Sequence, residues 1–366
     1  MEDADLIPFF GISRQYAQLR DELLDASDHV YRSGQVLDGP YTINFENAIA
    51  KRCDRQYAIA VNSGTQGLIF ALSCLTPLQD VIIPNVSFAA TLNSVVMARH
   101  NPRFVDTDYK GLLDLSTVEY NTREANVGGI MYVNLFGNTI DYDKFRIMTE
   151  FFSEDLFIIE DAAQSFGAKY KDIPSGKMGN ISVLSFDPTK NLPNYGSGGM
   201  VLTDDPYLAD FFLDLRDNGK SSDHANPGTN SKMSESDCAQ MLVKLKHFDV
   251  WQKRRTEIAE YYISRMYQYV DVVIPNQHVT HAWHKFVMRV PERNRLQQHL
   301  KEHRVSTKIH YASTLSDLGV VSMPEDELRE SHQFARDALS LPIYPELTDI
   351  EVEHIAAMVT NYYKNY

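Results

Sequence analysis

Between Tyr57 and Asp217, short apolar runs (YAIAV, VIIP, GGIMYV, LFIIE) are bounded by turn residues and separated by longer amphipathic stretches. Continuous apolar runs of this length predict parallel strands buried on both faces and joined by crossover helices. After Ser234 the texture changes. SESDCAQMLVKLKHFDVWQKRRTEIAEYYISRMYQY reads as one or two long helices, AWHKFVMRV as a strand, RLQQHLKEHR as a helix, and a last helix starts near Thr348. The pattern predicts an α/β protein in two unequal units. Residues 1–246 form a large domain with a mostly parallel sheet sandwiched by helices. Residues 247–366 form a smaller α+β C-terminal domain.

Composition changes this picture little and narrows the partners. The 366 residues are 43% hydrophobic and 23% charged, with a formal net charge of -14. That balance argues against nucleic acid as a partner, because a phosphate backbone is repelled where no basic patch intervenes. The acidic start MEDADLIPFFG lacks the basic, apolar pattern of a secretory signal. No apolar run reaches membrane-spanning length. Cys53, Cys74 and Cys238 are scattered and odd in number, which predicts neither a disulfide framework nor a metal pair. A reducing cytoplasm is the expected location.

Ligands of such sheets bind at the carboxyl ends of strands, so the chemistry is sought there. Lys190 follows the strand ISVLSF and a turn at Pro188, where partial desolvation lowers an amine's pKa and frees it to attack a carbonyl. Asp161 ends the run LFIIED, with Gln164 three residues on. A carboxylate in that position suits the pyridine nitrogen of pyridoxal 5′-phosphate (PLP). The segment AVNSGTQGLIF reads as strand, small-residue turn and helix, an arrangement that offers amides to a phosphate. Phe88 follows VIIP and opens a helix, where an aromatic ring can stack on a planar cofactor. Each element alone has a plainer reading: a turn lysine, a helix cap at Glu160 or Asp161, a cap at Ser63 or Thr65, a core phenylalanine. Their joint order is what points to PLP. Two histidine patterns resemble metal ligands, HLKEH from His299 to His303 and the series His278, His281, His284. The first reads as a solvated helix face and the second as the lead into a strand, so no metal is expected. The polar stretch 219–232 reads as a loop. Its Gly219-Lys220-Ser221 ends like a nucleotide P-loop, but Asp214 stands where the first glycine belongs.

Several blocks in order then carry a resemblance to a known family: SGQVLDGPYTINFENAIAKR, YAIAVNSGTQGL, VIIPNVSFAATLNS, EDAAQSFGA, SFDPTKNL, GGMVLTDD, LRDNGK, TNSKMSESDCAQ, HAWHKF, IHY and LSLPIYPELTD. The chain resembles the sugar aminotransferases of the DegT/StrS family, within the aspartate-aminotransferase-like PLP fold. The resemblance implies a large PLP-binding domain and a transaminase that passes through pyridoxamine phosphate. It implies an amino-acid donor, glutamate, and a keto-sugar acceptor linked to a nucleoside diphosphate, for amino-sugar synthesis. The form PTKNL favours C3 over C4 of the sugar. By resemblance, Lys190 is the Schiff-base lysine and proton shuttle, Asp161 the partner of the pyridine nitrogen, Gln164 a ring contact and Phe88 the stacking aromatic. Thr65 and Gln66 match the phosphate-binding turn, and Ser185 a further phosphate ligand. Asn230 matches an asparagine that reaches a neighbouring subunit's cofactor, which implies a homodimer with shared active sites. His310 and Tyr311 lie where the family meets its sugar. The chain departs from the family at Ser197 (usually Asp), Lys232 (usually Arg), Asp187 (usually aromatic or His) and Gln66-Gly67 (usually Asp-Ala). These departures motivate an alternative, a non-catalytic PLP-binding regulatory protein on the same fold. Lys190 argues against the sister dehydratases, which typically carry histidine there.

Overall fold

The computed structural model describes residues 6–122, 126–151, 156–320 and 327–364. Every apolar run expected to be a strand is one. In chain order the strands are β1 (Tyr57–Val61), β2 (Asp80–Pro84), β3 (Asn101–Val105), β4 (Val127–Val133), β5 (Phe157–Asp161), the short β6 (Lys169–Tyr170) and β7 (Ile173–Pro174), β8 (Ile181–Ser185) and β9 (Gly199–Thr203). Seven of them form one sheet in the order β1-β9-β8-β5-β4-β2-β3. The pairs β2–β3, β2–β4, β4–β5 and β5–β8 are parallel, and β9 runs antiparallel to both neighbours. The sheet is therefore mostly parallel, as the α/β pattern predicts.

Alternation along each strand supplies two apolar faces. Ile59, Val61, Val183 and Val201 pack with Leu68 of α3 (Gly64–Leu72 in chain numbering) and Leu92 of α4 (Ala89–Met97). Their neighbours Ala60, Leu184, Met200 and Leu202 face the other way, toward Leu19 and Leu23 of α1 (Ile12–Ser33) and Phe45 and Ile49 of α2 (Pro40–Arg52). Helices thus cover both sides of the sheet.

A single helix, Glu235–Met266, contributes to two cores. Its first half places Met241, Phe248 and Trp251 against the sheet's second face. Its last turns place Ile258, Tyr262 and Met266 in a separate core with Phe286, Met288, Leu339, Leu341, Ile355 and Val359. That core surrounds the antiparallel sheet of β10 (Asp271–Val272), β12 (Phe286–Arg289) and β13 (Ala338–Leu341). The strand β11 (Val279–Thr280) instead joins β6 and β7. Ile7 also belongs to the C-terminal core and bridges to Val305, with backbone bonds to Arg304 (2.9 Å) and from Ser306 (3.0 Å). This stitch holds the segment that carries Phe9 and Phe10. Among the described residues no helix is long and apolar enough to cross a membrane.

Candidate active site

β1, β2, β5 and β8 run in one direction, β1 through two antiparallel pairings across β9, so their carboxyl ends share one edge of the sheet, and each leads into a residue with chemistry to offer. After β1, Ser63 caps α3 by accepting the Gln66 amide at 3.1 Å. A cap of this kind contributes about 1 kcal/mol and fixes the turn. The Gly64 and Thr65 amides and the Thr65 hydroxyl have no partner among the described residues. They form a helix terminus of the kind that suits an anion. Close packing requires two glycines here: a Cβ on Gly64 would lie 2.9 Å from the Cβ of Ser185, and one on Gly199 would lie 2.5 Å from the Ser63 carbonyl carbon. Ser185 therefore closes the turn from the β8 side.

Asp161 ends β5 and is 4% exposed. The Ala163 amide donates to its Oδ1 at 3.1 Å and the Thr91 hydroxyl to its Oδ2 at 3.0 Å. Burial raises its pKa above the usual carboxylate range, and those two bonds together with Lys190 pull it back. Its neighbour Glu160 is fully buried on the other side, where Asn134, Ser175, Gly176, Met178 and Ser182 donate to it. The residues after Asp161 form turns, not the helix that a cap would start.

Lys190 sits in a turn organised by Asp187. The Asp187 carboxylate accepts the Thr189 amide at 3.0 Å and the Thr189 hydroxyl at 2.7 Å, and its carbonyl accepts the Lys190 amide at 2.9 Å. Asp187 thus shapes the loop. The Lys190 ammonium has no hydrogen-bond or ion-pair partner among the described residues. Burial lowers its pKa, while Asp161 and Asp187 hold it up. Asn191 ties the loop to the C-terminal unit by donating to the Ala282 carbonyl at 2.7 Å.

A cavity of about 320 Å³ joins these groups. It brings together Thr65, Phe88, Asp161, Gln164, Ser185, Lys190, His310 and Tyr311 of the expected set. Gln164 holds its place by accepting the Phe136 amide at 3.2 Å and donating to the Tyr311 hydroxyl at 2.9 Å. Phe88 caps α4 and is 56% exposed, so it is not a core phenylalanine; its ring lies 6.2 Å from that of Tyr311. Gln66 does not line the cavity and contributes its amide to the Ser63 cap. Asn230 lies outside it too, exposed and bridged to Asp217. Of the departures, Ser197 lines the cavity, while Lys232 pairs with Asp217 and lies 3.8 Å from Asp38.

Residue patterns had not singled out Thr91, Phe10, Lys285 or Lys308, all of which line the cavity. Thr91 was readable as the residue one helical step past Phe88. For Phe10 and Lys308 the sequence holds no local signal. Three histidines of the two metal-like patterns are engaged elsewhere. His299 Nε2 meets the Met358 carbonyl at 3.2 Å, His303 Nδ1 the His299 carbonyl at 2.8 Å, and His281 Nδ1 accepts the Trp283 amide at 2.9 Å. His284 Nδ1 meets the Asn191 side-chain oxygen at 3.2 Å, and its ring lines the cavity. Among the described residues no group of three or more His, Cys, Asp or Glu side chains could hold a metal ion. In the 219–232 loop, Asp214 accepts from the backbone and hydroxyls of Ser221 and Ser222 and from Asn226, which lowers its pKa. The residue that spoils a P-loop is the one that organises the loop.

Comparison with known proteins points to one family. The model of the DegT/DnrJ/EryC1/StrS aminotransferase family matches residues 17–360. A Geobacillus stearothermophilus protein named pleiotropic regulatory protein is 32% identical, over 96% of this chain and 99% of its own. A dTDP-3-amino-3,4,6-trideoxy-alpha-D-glucose transaminase of Streptomyces venezuelae is 32% identical, over 93% of this chain and 92% of its own. A crystal structure of S. venezuelae DesV in complex with a ketimine intermediate superimposes with a TM-score of 0.94 at 31% identity, covering 99% of both chains.

Proposed function

The chain belongs to the DegT/DnrJ/EryC1/StrS aminotransferase family, and from that premise we propose that it moves an amino group from an amino acid to the keto-sugar of a nucleoside-diphosphate sugar, using PLP. One observation carries the reading: an unpaired Lys190 ammonium, a buried Asp161 carboxylate and the free amides of Gly64 and Thr65 line a single cavity. These residues fit a phosphorylated pyridine. The helix terminus, with the hydroxyls of Thr65 and Ser185, suits the phosphate. Asp161, held by Thr91 and Ala163, suits a protonated ring nitrogen, and Phe88 and Gln164 suit the ring faces. When bound, PLP supplies an aldehyde for imine exchange and a protonated ring that takes up the electron pair released on proton loss from carbon.

The chain's own residues supply the rest. Lys190, with its pKa lowered by burial, reaches the neutral form more readily than a free lysine. That neutral amine is the group that would hold PLP through its aldehyde, with loss of water, and, once released, the base that would take up and return the proton moved in the transfer. The bonds from Ala163 and Thr91 favour the charged form of Asp161 against its burial, and that charge would steady a positive charge opposite it. Tyr311 and Gln164 brace one another at the side where the sugar would enter.

Glutamate as donor and C3 as the aminated carbon remain parts of this proposal, the latter resting on PTKNL. So do the cytoplasmic location and the homodimer. Asn230 is exposed and off its own cavity, and Val96 and Met97, on the helix that Phe88 caps, are exposed apolar side chains that a second copy would cover. A non-catalytic PLP-binding regulator is the second reading, favoured by the name of the Geobacillus relative and by Asp187. Borohydride treatment of the holoprotein, followed by peptide mapping, should place the cofactor on Lys190. Glutamate should bleach the yellow absorbance, and Lys190→Ala should lower turnover by roughly 10²–10⁴-fold. Cofactor fixed at another residue would sink the assignment, and fixation at Lys190 without bleaching by any amino acid would favour the regulator.

A further inference from the structure

Part of the same cavity has no task in amino transfer as described above. Phe10, Lys285 and Lys308 line it, beside His310. The Lys285 and Lys308 ammonium groups lie 4.5 and 4.7 Å from the centre of the Phe10 ring, and 5.6 and 5.7 Å from that of Phe9. Two cations therefore flank one aromatic pair. Lys285 is 5% exposed, whereas Lys308 is exposed. The Lys285 ammonium has three N–H donors. Its one hydrogen bond within the described residues is a long one, 3.5 Å, to the Thr189 carbonyl. No carboxylate of the described residues lies within ion-pair distance of either lysine. Asp187, the acid that acts on Lys285, is occupied by Thr189.

A buried ammonium with unused donors is costly, and ring contacts offset only part of that cost. Both lysines line the cavity and Lys308 acts electrostatically on Lys285, so an anion held there would meet the charge of each. Thr189 adjoins Lys190, so such an anion would lie beside the reacting amine. A phosphate already has the α3 terminus available to it. We propose that Lys285 and Lys308 form a carboxylate subsite of this cavity. The proposal rests on the amino-transfer reading, in which the carboxylate belongs either to the amino-acid donor or to an acidic sugar.

Protonation supports it. Burial, with Lys190, Arg255 and Lys308, holds the pKa of Lys285 well below the usual lysine value, against Asp187. Those same lysines and burial bring His310 down to about 3, and His284 is lowered as well, so neither histidine adds charge near neutral pH. A carboxylate arriving beside Lys285 raises its pKa, so binding takes up protons and weakens as the pH rises.

The test is calorimetric titration of the holoprotein, wild type, Lys285→Met, Lys285→Arg and Lys308→Met, with glutarate and with the pair UDP-glucuronate and UDP-glucose. PLP absorbance of each variant shows whether the cofactor site survives, which separates failure of this subsite from failure of the amino-transfer reading. In the wild type, glutarate should bind, or UDP-glucuronate should bind better than UDP-glucose, with proton uptake read from buffers of different ionisation enthalpy. Lys285→Met should lose that affinity or that preference by on the order of tenfold to a hundredfold, Lys308→Met by less, and Lys285→Arg should retain it. Loss confined to glutarate assigns the subsite to the donor, and loss confined to the UDP-glucuronate preference assigns it to an acidic sugar. The proposal is overturned if the wild type shows neither behaviour, or if Lys285→Met, with PLP bound, keeps both affinities. Should Lys285→Met fail to fold, Lys308→Met and Lys285→Arg decide by the same criterion.

Discussion

The two sides of the cavity are built in different ways. The proposed cofactor side, Gly64, Thr65, Asp161, Ser185 and Lys190, comes from the ends of β1, β5 and β8 in one sheet and the turns that follow them, each in or a few residues from the apolar run that positions it. The other side draws Phe10 from the N-terminal segment, Lys285 from the edge of β12 and Lys308 and His310 from a segment bridged to β13. Strand ends of a parallel sheet bring chemical groups together by topology alone. The second side exists only because the C-terminal core is packed and Ile7 is stitched to Val305. The first should therefore carry the chemistry common to the fold, and the second the choice of substrate.

Substitutions can break that contrast. After loss of Lys190 itself, the largest effect is expected for Asp161→Asn, which keeps the size and one oxygen for the Ala163 amide, reverses the Thr91 contact into a bond that the hydroxyl accepts, and removes the charge. We expect kcat to fall by roughly 10²–10³-fold, with the cofactor still fixed to Lys190 by borohydride. A kcat near the wild-type value would mean that charge stabilisation lies elsewhere. Tyr311→Phe is a smaller perturbation on the second side. It removes the acceptor of the Gln164 bond while the Phe136 amide still holds Gln164. A single neutral hydrogen bond is worth about 0.5–1.5 kcal/mol, or roughly a 2- to 13-fold change in KM for the sugar. Separate half-reactions should show the glutamate step unchanged. A kcat loss as large as that of Asp161→Asn would erase the distinction between the two sides.

The same contrast explains what the sequence disclosed. β1, β2, β4, β5 and β8 were legible because each is an apolar run with no competing helical period. β3 was not, since Asn101, Pro102 and Arg103 interrupt its pattern and leave only Phe104 and Val105 fully apolar. The reversed direction of β9 was invisible, because an apolar strand reads alike in either direction. Asp161 was found by its place after a strand. Its different role from Glu160 rests on alternation at a strand end, which sends one carboxylate to the cavity and the other into a shell of buried donors. The helix Glu235–Met266 hid its passage between two cores, because one amphipathic period serves both. Lys285 lay inside a readable block, HAWHKF, but nothing local shows that its partners are Phe9, Phe10 and Lys308, which stand hundreds of positions away or across a strand.

Asp187 acts on both sides, and the smallest predicted effect comes from it. Its charge raises the pKa of Lys190 and of Lys285, while its oxygens shape the turn through Thr189. Asparagine keeps an oxygen acceptor for the Thr189 bonds and deletes the charge, so Asp187→Asn separates the two roles. Without that charge the Lys190 pKa falls further. The neutral amine, the form that attacks an aldehyde, then persists to lower pH. The rate of PLP uptake by the apoprotein rises with pH as Lys190 loses its proton, and in the variant this rise should shift to lower pH. PLP's own titration is common to both proteins and cancels in the comparison. A rise that stays in place would show that Asp187 acts on the turn alone. A shift to higher pH would mean that the turn had opened and returned Lys190 to water, which would make the carboxylate a structural element.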